Sequence, residues 1–144
     1  MALLTRFDVH LVTGNRPNAG ALVAVFVGLC GREFAVNNSD LDFTTGHDFT
    51  YVFGDQANVI NPQDNDPRDP MPLDTDDLAR FPIYIRCESP TGGAPGAGWD
   101  AWNLEEVQIT LNPGPNELVL PTGLPGGVNL WLGTGIGKIL YLRT

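Results

Sequence analysis

Gly98-Trp99-Asp100-Ala101-Trp102-Asn103-Leu104-Glu105-Glu106-Val107-Gln108-Ile109 is the stretch that decides the fold. A glycine-rich loop (Gly92, Gly93, Gly96, Gly98) leads two tryptophans into a strand whose apolar residues alternate: Leu104, Val107, Ile109, Leu111. The step from Leu104 to Val107 breaks strict alternation, as one extra residue in a β-bulge does. Read with the opening Phe7-Asp8-Val9-His10-Leu11-Val12-Thr13-Gly14, it predicts an all-β, antiparallel sandwich and gives no pointer to catalysis.

Working outward, strands are expected at 6–13, 21–30, 32–37, 47–53, 81–88, 103–111, 116–120, 128–132 and 138–143. Turn chemistry separates them, as at Gly14-Asn15-Arg16-Pro17-Asn18, Asn37-Asn38-Ser39-Asp40, Asn112-Pro113-Gly114-Pro115-Asn116 and Pro125-Gly126-Gly127. Many short strands with such punctuation argue for two packed antiparallel sheets. Val9, Leu11, Val23, Val25, Val27, Leu29, Ile83, Ile85, Trp102, Val107 and Ile109 are the expected core. Only Asp76–Ala79 could make a helical turn. One domain spans 1–144, without repeats. Between 55 and 77 the rhythm fails: prolines at 62, 67, 70 and 72 interrupt any strand, and the segment reads as a long insertion. A contact arm reaching a neighbouring subunit and a plain surface loop are the two readings of it.

Net charge is −9, and residues 64–77 alone carry −5. A phosphate backbone wants a basic stripe, and this chain has none, which disfavours nucleic acid. An anionic membrane surface would repel the domain unless cations bridged the contact. No apolar run is long enough to cross a bilayer. The first strand starts within a few residues of Met1, which leaves no room for a signal peptide and predicts a soluble protein, cytoplasmic or part of an assembled particle. Cys30 is expected to face outward and Cys87 inward, which argues against a disulfide.

Catalysis is poorly supplied. Ser39 and Ser89 each sit in a turn, and nothing places a serine on the strained elbow that a nucleophile needs. Glu105 and Glu106, on a regular strand, would point to opposite faces and make no acid/base pair.

Phe7–Gly14, Ala19-Gly20, the apolar strand ending at Gly31, Asp42-Phe43-Thr44-Thr45-Gly46-His47-Asp48-Phe49, Phe81–Glu88, Gly98-Trp99…Val107 and Leu130-Trp131-Leu132 followed by Ile139-Leu140-Tyr141 recur in one order. In that order the chain resembles the PLAT family, the lipoxygenase-homology β-sandwich of polycystin, lipoxygenases and alpha-toxin. The resemblance covers nearly the whole chain, with 55–77 as the main excess. It implies an eight-stranded sandwich that contacts lipid, membrane or protein and holds no active site.

Some members of that family bind calcium with acidic loop residues. Here Asp42 and Asp48 fall where second-loop ligands occur, and Glu88 near an aspartate of a later loop. Leu22 and Thr44 stand where acidic residues are common. Neither Asp64-Asn65-Asp66 nor Asp74-Thr75-Asp76-Asp77 has the glycine turn and distal glutamate of an EF-hand. No cofactor is required, and calcium is the one ligand the resemblance raises. For lipid, exposed loop tips matter: Trp99 is the best candidate, then Leu124 and Val128, unless Trp99 merely caps a core filled by Trp102. Asp64, Asp66 and Asp69 are the expected partner contacts on the insertion. The expected function is a non-catalytic module making protein–protein contacts, or lipid contacts, through its loops. The alternative is a self-assembling structural subunit of a larger particle, shell, tail or filament.

Overall fold

The computed structural model describes residues 2–21, 23–39, 42–88, 101–120, 129–133 and 136–142. Among them nine strands form two antiparallel sheets, one more strand than the eight the resemblance implied. They are β1 (Arg6–Thr13), β2 (Ala24–Leu29), β3 (Arg32–Val36), β4 (Asp48–Gly54), β5 (Ile83–Glu88), β6 (Ala101–Leu111), β7 (Leu118–Val119), β8 (Leu130–Gly133) and β9 (Ile139–Leu142). One sheet runs β4-β1-β6-β7, with β8 also paired to β6. The other runs β3-β2-β5-β9. The single helical turn is a 3₁₀ helix at Thr75–Ala79, capped by the Asp74 carboxylate.

Alternation explains why these segments are strands. On β1 and β5 each second residue is buried, so one face of each sheet meets the other and one meets water. All eleven expected core residues are buried. Aromatic rings tie the sheets together: Phe7 of β1 stacks on Phe53 of β4 at 4.5 Å and meets Phe34 of β3 edge-on at 4.9 Å. The bulge falls where the sequence breaks: Val12 faces Glu106 and Thr13 faces Leu104, which leaves Glu105 without a pairing partner. Because the strand is irregular there, Glu105 and Glu106 do not straddle the sheet. Both are half-exposed between buried Leu104 and Val107.

Cys30 overturns its expected outward facing and is 4% exposed. Strand alternation stops at Leu29, and Cys30 (φ 52°) and Gly31 (φ 82°) form the turn to β3. Positive φ at both central residues is what a two-residue hairpin turn of matching twist requires. Both cysteines are free thiols. Cys87 pairs with Val25, five residues back along β2 from Cys30, which separates them by about 17 Å at ~3.4 Å per residue.

The segment 55–74 is neither a projecting arm nor a plain surface loop. It is a strap across the side of the sandwich where β4 and β3 are the sheet edges. After Gly54 it doubles back along β4, where the Asn58 carboxamide accepts from the Val52 amide (2.8 Å) and donates to the Thr50 carbonyl (2.9 Å). That side chain stands in for a neighbouring strand. The Ile60 amide donates to the Asn37 carbonyl (2.9 Å) and carries the chain across to β3. Asn65 Oδ1 then accepts from the Ala35 amide (2.8 Å), and the Arg32 guanidinium donates to the carbonyls of Asp64 (3.0 Å), Asp66 (2.6 Å) and Asp69 (2.7 Å). Val59 is buried in the core beneath it. Leu73 closes the strap by accepting from the Leu4 amide at 2.8 Å.

Two substitutions test this reading in urea unfolding. Val25→Asp strands a charge between the sheets and is expected to abolish folding, and a soluble, fully folded variant would contradict the strand phase. Asn65→Ala leaves the Ala35 amide without its acceptor and should cost about 1–3 kcal/mol.

Candidate functional site

The loop end of the sandwich is built from the β1–β2 and β3–β4 connections. Asp42 organises the second of these. Its Oδ2 accepts from the amides of Asn38 (2.6 Å) and Ser39 (2.9 Å), and its Oδ1 accepts from the Tyr51 hydroxyl (2.8 Å). Burial, and then the bond to Asp42, push the Tyr51 phenol far above its ordinary value, so it remains a proton donor. Phe43, at φ 65°, packs edge-on against Trp102 at 5.1 Å, and the Trp102 indole donates to Thr13 Oγ1 at 2.8 Å. The two loops are laced together: the Gly20 amide donates to Thr45 Oγ1 (3.0 Å) and the Ala21 amide to the Phe43 carbonyl (3.0 Å).

Among the described residues two buried polar atoms at this end lack a hydrogen-bond partner, His47 Nε2 and Asn103 Oδ1. His47 Nε2 lies 3.8 Å from Asp42 Oδ1. Asn103 Oδ1 is aimed at the Gly14 backbone, where a Cβ would come within 1.8 Å. That oxygen explains the glycine.

The three residues raised as calcium ligands lie in three different settings. Asp42 is held inside the loop end. Asp48 opens β4 on the outer face of its sheet, with Oδ1 2.5 Å from His10 Nε2. Glu88 ends β5 on the outer face of the other sheet, bonded to Arg86 (3.0 Å) and Lys138 (3.1 Å). A calcium ion wants six to eight converging oxygens. Among the described residues no three acidic, histidine or cysteine side chains form such a group. Leu22 lies outside the described residues, as do Trp99, Leu124 and Val128.

On the strap, Asp64, Asp66 and Asp69 give their carbonyls to Arg32. The Asp66 carboxylate also takes two bonds from the Arg68 side chain at 2.9 Å, which hold it below the usual carboxylate range. Asp64 and Asp69 are exposed.

Catalytic chemistry finds little here. His10 has its Nε2 on Asp48 and its Nδ1 3.8 Å from Glu106. Among the described residues no serine, threonine or cysteine hydroxyl or thiol is bonded to either ring nitrogen. Burial raises both thiols, Cys30 to about 11, so neither is the thiolate that a cysteine nucleophile requires.

The best-organised surface is one the sequence did not single out: the outer face of the sheet β3-β2-β5-β9. In register across it lie Glu33, Gly28, Tyr84 and Tyr141, then Ala35, Phe26, Arg86 and Ile139. Arg86 sits over the Phe26 ring at 4.4 Å and bonds Glu33 at 2.6 Å. The Tyr84 hydroxyl donates to Glu33 at 2.6 Å, and its ring covers Gly28 so closely that a Cβ there would meet it at 1.9 Å. Hydrogen bonding to Arg86, and then to Tyr84, draws the Glu33 carboxyl below its ordinary range against the opposing effect of burial. Burial, and then Glu33, push Tyr84 up to about 12. Alternation along β5 marks Tyr84, Arg86 and Glu88 as outward-facing, but their pairing with Glu33 across β2 has no sequence signal.

No protein-family model matches the sequence, and no curated protein does. Solved structures do. Alpha-toxin from Clostridium absonum matches with a TM-score of 0.62 and 21% identity, over 98% of this chain and 32% of that one. Alpha-toxin from an avian strain of Clostridium perfringens gives 0.64 and 18%, over 99% and 32%. A coral 8R-lipoxygenase, described as calcium-activated through a C2-like domain, gives 0.53 and 18%, over 95% and 16%. The chain therefore has the PLAT-like β-sandwich fold and spans about a third or less of each of these proteins.

The depressed Glu33 carboxyl stabilises the fold above the ordinary carboxylate range, and that contribution is lost as pH falls through its folded value. Glu33→Gln should thus cost about 0.5–1 kcal/mol at pH near 7, discounted for solvent screening. In urea unfolding its gap to the unsubstituted protein should close in acid.

Proposed function

We propose that this chain is a non-catalytic binding module whose principal contact is with protein, made through the outer face of β3-β2-β5-β9. The observation that carries this reading is the order of that face. Arg86, Phe26, Tyr84 and Glu33 are already locked to one another before any partner arrives. Tyrosine, arginine and phenylalanine are the residue types that concentrate binding energy at interfaces, and fixing them beforehand lowers the entropy lost on association. The exposed carboxylates of Asp64 and Asp69 are where a basic partner would meet the strap.

Lipid contact is the lesser reading, with Trp99 and Leu124 as its candidate inserting residues. The net charge of −9 opposes an anionic surface unless calcium bridges it. The reading as a protein-contact module requires no cofactor.

Self-assembly is a third reading, favoured by one feature. Among the described residues Glu33, Arg86, Glu88 and Lys138 cancel in charge on this face, while the chain as a whole carries −9. Two copies can meet here without the repulsion that separates them elsewhere.

Co-sedimentation with zwitterionic and anionic vesicles, in chelator and then in calcium, separates lipid from protein. The chain is expected to stay in the supernatant throughout. Photo-crosslinking from position 84 in an extract of the producing cells should give discrete protein adducts, weakened at least tenfold by Arg86→Ala. Calcium-dependent sedimentation that is lost in Asp48→Asn would move the function to lipid.

A further inference from the structure

We propose that β9 is a self-pairing edge, and that two copies of this chain join by antiparallel addition of β9 to β9 about a twofold axis at Leu140. The inference rests on the self-assembly reading and names the surface responsible.

The strap bonds the β4 and β3 edges, whereas among the described residues no strand or loop bonds the outer side of β9. Cys87 donates its amide to the Lys138 carbonyl at 2.9 Å, which sets the phase of the β5–β9 ladder. By antiparallel alternation, Leu140 and Leu142 then turn their backbone groups towards β5, and Ile139 and Tyr141 turn theirs outward. Among the described residues those outward groups have no hydrogen-bond partner. An edge of this kind is a template for another strand.

The pattern of β9 selects a second copy. With the axis at Leu140, Ile139 lies opposite Tyr141 of the partner and Tyr141 opposite its Ile139, each pair with N–H and C=O facing. An isologous contact needs this self-complementarity. The paired side chains are an aromatic and a β-branched residue on the same outer face, a favourable cross-strand combination. They are also among the exposed apolar residues, at 39% for Ile139 and 63% for Tyr141. Exposed Ile136 lies just before β9, so apolar side chains continue past the start of the strand.

Charge agrees with that choice. A basic partner would be drawn to the acidic strap, while β9 carries no charge and adjoins the balanced Glu33–Arg86–Glu88–Lys138 network. Lys138, at the mouth of the edge, is matched by Glu88 at 3.1 Å and so does not act as the lone lysine that commonly repels edge pairing. Four residues pair a small area, which predicts a concentration-dependent dimer short of an obligate one.

Light scattering across a concentration series tests this with the full chain. The mass should rise from one chain towards two. Ile139→Lys, which changes an outward side chain and no internal bond, should hold it at one. Tyr141→Pro removes an outward N–H and should do the same. Leu118→Lys, at an exposed position on β7, should dimerise like the unsubstituted protein. Hydrogen exchange at the Ile139 and Tyr141 amides should slow as concentration rises, with Leu140 unchanged. A dimer that survives Ile139→Lys overturns the β9 pairing and leaves self-association standing. A monomer at every concentration overturns both, without touching the reading as a contact module for other proteins.

Discussion

A sandwich of two open sheets has edges, and each edge strand presents amides and carbonyls that must be bonded, covered or left to water. That constraint organises this molecule. On one side, the Asn58 and Asn65 carboxamides and the Arg32 guanidinium convert a proline-rich segment into a cover for both edges. The cover also brings Val59 into the core, so edge protection and apolar burial come from the same residues. What lies under the strap is structural, and what lies away from it is where the surface is left to do something else.

The loop end shows a related economy. In the resemblance, Asp42 is a ligand; in the fold, it is the residue that builds its loop. Amides of Asn38 and Ser39 and the Tyr51 hydroxyl converge on its carboxylate from within the chain. An acid satisfied by three neutral donors is already solvated by protein and gains less from a cation than one left facing water. The order of the loop end is therefore intrinsic, carried by Asp42, Phe43 and Trp102 together.

Most of the fold was legible in the chain. Period-two alternation located the long strands and every expected core residue, and the spacing from Leu104 to Val107 located the bulge. Asp76–Ala79 sits inside the 3₁₀ helix. The failures share a cause, which is that pattern reports facing and does not report pairing. Cys30 was assigned by extending alternation one residue into a turn that reverses it. The strap has no periodicity, because side-chain amides order it in place of a strand ladder. No facing pattern shows that the two sheets carry Asp48 and Glu88, which the resemblance groups with Asp42, to opposite outer faces. Arg86 and Glu33 are 53 positions apart and meet only because β2 lies between their strands.

The ion pair between Lys138 and Glu88 has a practical side. Lys138 is the chain's single lysine, so the side-chain amines available to acylating reagents, crosslinkers or enzymatic acetylation amount to one. Acylating it would erase a positive charge, remove one basic partner of Glu88 and tip a balanced face towards negative. A dye or tether attached through amine chemistry would accordingly sit beside β9. It would alter the surface it was meant to observe, and since both native thiols are buried in that same sheet, a cysteine introduced on the far sheet is the better handle.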